Sequence, residues 1–157
     1  MLEALILVLT ANGTPVLASW LLGQHLAYPV DLKRSTSDGN RWLGDSKNIR
    51  GIVLSAIATA LAAYMLGYDW KLGGIIGLLA MTGDIISSFI KRRMGMPVSS
   101  QAPGLDQVPE SLLPLAVCAS PLGLQWYQVL ILVAVFWLLE LLLSRILYAL
   151  HIRKQPY

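Results

Sequence analysis

The chain has 157 residues, of which 55% are hydrophobic and 13% charged, and its mean hydropathy is +0.60. These values exclude an ordinary soluble domain and fit an integral membrane protein. The net charge of +3 is small; a basic membrane face meets anionic headgroups or phosphorylated substrates, so it does not call for a nucleic-acid partner.

Five apolar segments follow one another: Leu2–Leu22, then residues 51–66, 72–90, 112–124 and 126–150. A span needs ~17–25 mostly apolar residues. The expected fold is therefore an all-α integral membrane protein with about five transmembrane helices. The fourth segment is short and holds Pro114 and Pro121, so it is a candidate broken or re-entrant element. The loops are too short for a separate core, which predicts one domain over 1–157. No internal repeat is evident, which argues against an inverted-repeat transporter.

The first segment opens on Glu3 rather than a basic region and runs on through Asn12-Gly13-Thr14-Pro15, so it is not read as a cleavable signal peptide. Pro15 predicts a kink in mid-span. Asn12 and Thr14 either line a polar cavity or satisfy carbonyls that the kink frees.

Lys33, Arg34, Arg41, Lys47 and Arg50 lie between the first two segments, Lys91 to Arg93 follow the third, and Arg145, Arg153 and Lys154 close the chain. Eleven of the twelve basic residues thus fall on one side, with only Lys71 opposite. That asymmetry predicts a cytoplasmic (inner) membrane protein whose two longer loops, 23–50 and 91–111, and any site they carry face the cytoplasm.

The first loop alternates basic, acidic, glycine and hydroxyl residues, from Tyr28-Pro29-Val30-Asp31 through Asp38-Gly39 to Gly44-Asp45-Ser46-Lys47-Asn48-Ile49-Arg50-Gly51. Glycines here would let amides approach a phosphate. The same residues would equally suit a basic loop at headgroup level.

Asp84 lies inside the third apolar segment, where a carboxylate left in hydrocarbon costs roughly 2.5–3.5 kcal/mol or more. Ser87, Ser88 and Lys91 follow at spacings that share its helical face. This pattern is a functional-site candidate, with a structural ion pair to another helix as the alternative. Asp106 lies across the next loop. Two carboxylates converging there would repel unless they shared a divalent cation.

Glu140, Ser144 and Arg145 read as a structural ion pair or interhelical hydrogen bond. Cys118 reads as a packing residue. His25 and His151 read as interfacial, and Trp20, Trp126, Trp137 and Tyr148 as packing near lipid.

Taken in order, Pro29-Val30-Asp31, Asp38-Gly39, Gly44 to Gly51, Gly83-Asp84 to Lys91-Arg92-Arg93-Met94-Gly95, and Leu105-Asp106-Gln107 resemble the CDP-archaeol synthase family, which is related to the bacterial phosphatidate cytidylyltransferases. The resemblance covers nearly the whole chain. It implies a CTP-dependent cytidylyltransferase that acts on a membrane lipid phosphate in the bilayer and releases pyrophosphate. It further implies Mg²⁺ held by Asp84 and Asp106 with Glu110 as a possible third ligand. Lys47, Arg50, Lys91 and Arg92 would offset phosphate charge, and Ser46, Ser87, Ser88 and Asp45 would line the nucleotide site.

Two positions depart from the family pattern. Asn48 stands where Thr is frequent, and Pro109 stands where a second Asp is common, with Glu110 next. Either Glu110 takes that role or the chain has one acidic ligand fewer. The competing readings are a small transporter binding a cation at Asp84 and Glu140, and a non-catalytic membrane assembly protein. No motif encodes the identity of the lipid or the oligomeric state.

Overall fold

The computed structural model describes residues 1–35 and 41–152. Asp38, Gly39, Arg153 and Lys154, singled out above, lie outside them. The elements are α1 (Leu2–Leu22), α2 (Ile49–Met65), α3 (Trp70–Arg93), α4 (Gln107–Val117) and α5 (Trp126–Ala149). Among the described residues there is no strand, only isolated bridges pairing Pro29 with Asn48 and Ser35 with Arg41.

α1, α3 and α5 have 21, 24 and 24 residues and are apolar enough to cross a membrane. Their outer faces are greasy: Leu17 of α1, Leu78 of α3 and Leu130 and Leu138 of α5 all stand exposed, as lipid-facing side chains do. α2 is an apolar helix of 17 residues, at the lower limit for a span.

The fourth segment differs from its expected place. Its helix starts at Gln107, inside the loop the sequence suggests, and stops at Val117 after 11 residues. At ~1.5 Å per residue that covers only about half of the ~30 Å hydrocarbon core. Pro109 is the third residue of α4, where its missing amide has no intrahelical partner to lose. Residues 118–123 form turns containing Pro121 and Gly123, the latter at φ +64°, so the helix cannot continue. α4 is thus a half-length helix protected by its neighbours.

α1 passes through Pro15 without ending. Pro15 withdraws the amide that would bond the Ala11 carbonyl, and Ser55 Oγ of α2 donates to that carbonyl instead at 2.7 Å. Asn12 and Thr14 bond back to the carbonyls of Val8 and Thr10 on their own helix. They therefore take the structural alternative and do not join Asp84.

Close helix packing places the site. Gly73 and Gly77 of α3 lie against Ala60 and Ala56 of α2; a Cβ on Gly77 would stand 2.9 Å from the Ala56 Cα. Small residues allow such approach where no hydrophobic force draws helices together. Gly83 sits directly on the Pro109–Glu110 backbone, so α4 docks beside Asp84. The apolar core, with Leu7, Ile76, Leu115, Val129 and Phe136 at its centre, fills the other end of the bundle. Cys118 is buried in it, as its packing role predicts.

Candidate active site

The polar end of the bundle is built from the 23–48 loop, the C-terminal half of α3, the 94–106 loop and the start of α4. Asn48 caps α2 by accepting from the Gly51 amide at 2.7 Å. Asn is as good a cap as Thr, so this departure from the family pattern preserves the helix start. Lys47, just before the cap, has its carbonyl bonded by the Val30 amide at 2.9 Å. Its side chain reaches α3 and gives Nζ to both Asp84 oxygens, at 2.7 and 2.6 Å.

Asp106 is held differently. Its Oδ1 meets Lys91 Nζ at 2.6 Å and its Oδ2 accepts from the Ala102 amide at 2.8 Å. Lys91 also donates to the Ser100 carbonyl at 2.9 Å. The expected Asp84–Ser87–Lys91 face is therefore split. Lys91 serves Asp106, and the buried Ser87 hydroxyl donates to the Asp84 carbonyl at 2.9 Å rather than to its carboxylate. The two aspartates are each neutralised by their own lysine, which removes the repulsion that a shared cation was invoked to relieve.

Glu110 is 8% exposed and lies within the electrostatic reach of Asp84, Glu140, Lys47 and Asp106. Among the described residues, no three acidic, His or Cys side chains converge as metal ligands. The three-ligand version of the metal reading is thus not assembled in this geometry. Asp84 and Asp106 have the chemistry Mg²⁺ takes from proteins, one or two carboxylates completed by substrate phosphates.

Arg92 is 4% exposed, and its Nε and Nη1 have no hydrogen-bond partner. The nearby charge acting on it is that of Asp106. A buried guanidinium with open donors is costly unless something anionic completes it. Ser88 is buried next to this end of α3.

Arg50, expected at phosphate, and Asp45 and Ser46, expected at the nucleotide, have these surroundings. Arg50 is buried and donates to the carbonyls of His25 and Gly23 (3.1 Å for the latter), tying the end of α1 to the start of α2. Asp45 is exposed and paired with Arg41 at 2.6 Å. Ser46 is exposed in the turn between them and the cap.

Asp31 is a hub that sequence reasoning missed. Its side chain is fully buried and accepts from Arg41 Nη2 at 2.6 Å and from the amides of Lys33, Leu43 and Gly44 at 3.0, 3.2 and 3.1 Å. Burial opposes ionisation, but the Arg41 guanidinium and the three amides outweigh it and take the carboxyl down to about 2. Leu32 and Lys33 adopt φ +47° and +63°, strained values that the carboxylate's bond to the Lys33 amide helps to hold. Gly44 has φ +109° and lies under Val98, which a Cβ would meet at 2.8 Å. Arg93 donates to the Arg41 carbonyl at 3.1 Å. The two loops are therefore one packed cap over the end of α3. Its place in the Pro29-Val30-Asp31 segment was the signal available in the sequence.

Gln107 is the other residue that sequence reasoning missed. Its amide donates to Glu140 of α5 at 2.7 Å and its oxygen accepts from the Gly104 amide at 2.9 Å. The interhelical hydrogen bond expected of Glu140 is thus made to α4, while Arg145 is exposed.

These features define a helical membrane enzyme whose polar, lysine- and arginine-rich site opens at one end of the bundle. A family model described as CarS-like CDP-archaeol synthase matches residues 68–157. A CDP-archaeol synthase of Sulfurisphaera tokodaii is 34% identical over 135 residues, covering 82% of this chain and 81% of that one. The CDP-archaeol synthase of Sulfolobus acidocaldarius is 35% identical over 82% and 83%. A solved structure described as an intramembrane enzyme for archaeal membrane lipids biosynthesis superposes with a TM-score of 0.74 at 32% identity, covering 91% of each chain. The chain belongs to the CDP-archaeol synthase family.

Proposed function

We infer that this chain is a CTP:lipid-phosphate cytidylyltransferase. An oxygen of the lipid phosphate attacks the α-phosphorus of CTP in line, pyrophosphate leaves, and the CDP-lipid stays in the bilayer. Such transfer depends on positioning and charge neutralisation rather than on a covalent nucleophile. Lys47, Lys91 and Arg92 supply the positive field. The buried Arg92, with two open donor positions, is the observation that carries this reading, because a phosphate satisfies it. Ser87 and Ser88 shape the α3 face beside Asp84. Arg50 and Asp45 act on the loop's fold rather than on phosphate.

Mg²⁺ bound by Asp84 and Asp106 would neutralise charge on the triphosphate. Glu110, next to Asp84, is a candidate to join them. This end of the bundle faces the cytoplasm, where CTP is available; the basic loops, with Lys71 at the opposite end, support that orientation. The relatives' names make an isoprenoid ether-lipid phosphate the first substrate to try.

The test uses purified protein in detergent with α-³²P CTP, Mg²⁺ and a panel of ether- and ester-lipid phosphates. Label entering the organic phase with one lipid is the expected result. Folded protein that transfers no label to any lipid would overturn the reading. In that case, cation flux in liposomes would favour a transporter.

A further inference from the structure

All four carboxylate oxygens of the proposed metal site are already taken by donors of the chain itself. Lys47 Nζ spans both oxygens of Asp84. Lys91 Nζ and the Ala102 amide take one oxygen each of Asp106. An ammonium within 2.6 Å of an oxygen occupies its lone pair and repels a second cation. Both lysines have long flexible stems, and each is a mobile point charge rather than a fixed fork. The triphosphate of CTP offers several anionic oxygens that can receive them.

We propose that Lys47 and Lys91 are exchangeable occupants of Asp84 and Asp106: they leave the carboxylates for the nucleotide's phosphates as metal arrives, so divalent metal binds poorly until CTP accompanies it. This rests on the two-carboxylate reading above. The exchange conserves charge, since each aspartate trades an ammonium for the metal and each ammonium trades a carboxylate for a phosphate. It also makes metal and nucleotide mutually dependent without any helix moving. Lys47 yields first. Among the described residues Asp84 is its ammonium's sole hydrogen-bond partner, whereas Lys91 is more buried and also bound to the Ser100 carbonyl.

The experiment measures Mn²⁺ binding by electron paramagnetic resonance on full-length protein in detergent, without nucleotide. Wild type is expected to bind weakly. Lys47→Met is expected to raise nucleotide-free Mn²⁺ affinity by ~5–150-fold, the usual span of coupling between two sites, while weakening CTP binding. Lys91→Met serves as the second variant should the first not fold. Arg34→Met removes the same charge from the same exposed loop without touching either carboxylate; it is expected to leave Mn²⁺ affinity unchanged.

Wild-type Mn²⁺ affinity in both lysine variants, with CTP-dependent Mn²⁺ binding still abolished by Asp84→Asn, would overturn the exchange and leave the proposed function standing. An equal rise in Arg34→Met would overturn it too, reducing the effect to overall charge. No Mn²⁺ binding in any protein, with or without CTP, would overturn the metal reading and the exchange together.

Discussion

Lys47 and Asp84 lie 37 positions apart in the chain, yet the lysine ammonium bridges both carboxylate oxygens, at 2.7 and 2.6 Å. One residue comes from the turn before α2 and the other from the middle of α3, and both side chains are about four-fifths buried. The pair joins the first loop to the part of α3 that packs on α4 at Gly83.

Asp84→Asn is expected to lower label transfer from α-³²P CTP by ~10²–10³-fold, the scale of removing one electrostatic stabiliser of a transition state. Its circular dichroism and gel-filtration profile should match wild type. Wild-type turnover in this variant would remove Asp84 from the chemistry.

Arg92→Met is expected to separate activity from stability. The guanidinium is buried with open donors, so an isosteric apolar chain relieves a desolvation cost. Thermal stability without nucleotide should hold or rise, while kcat/KM for CTP falls by ~10-fold or more, as loss of a charge-assisted phosphate contact requires. A fall in stability with kcat/KM unchanged would make Arg92 a structural residue.

The acid limb of stability should depend on Asp31. Its carboxyl titrates at about 2 when folded, below the ordinary 3.8. A depressed carboxyl stabilises the fold above its unfolded value, and that contribution fades as pH falls from about 4 toward 2, a total of about 2 kcal/mol. Asp31→Asn should therefore be less stable than wild type at pH 7, and the gap should close toward pH 2. Melting curves across that window check it; a gap independent of pH would mean that the amide bonds alone matter.

Two glycines of α3 should respond in opposite ways to alanine. A Cβ at Gly83 would run into the Pro109–Glu110 backbone, while one at Gly74 meets nothing within 4 Å. Gly83→Ala is expected to cost ~1–3 kcal/mol by overpacking and to impair transfer. Gly74→Ala should be neutral or stabilising by up to about 1 kcal/mol through helix propensity. Thermal denaturation of both variants gives the comparison.

Hydropathy alone was enough for the membrane class, for α1 to its last residue and for α3 and α5 to within three residues, because a bilayer accepts only long apolar runs whose backbone is satisfied internally. The cost of a carboxylate in hydrocarbon was enough to single out Asp84. The order of short motifs was enough for the family. Partner choice was beyond local pattern. Helical spacing put Lys91 with Asp84, but the 94–106 loop folds back and brings Asp106 to Lys91 first. Arg50 looked like a phosphate ligand until the end of α1 was seen to offer it two carbonyls. The start of α4 moved because Pro109 suits a first turn as well as a loop. Asp31 became a hub only when residues 33, 41, 43 and 44 converged on it. Burial and periodicity act on each residue through its own neighbours in sequence, whereas ion pairs and hydrogen bonds are settled by which groups the packed chain brings within 3 Å, and that is decided only when the whole bundle closes.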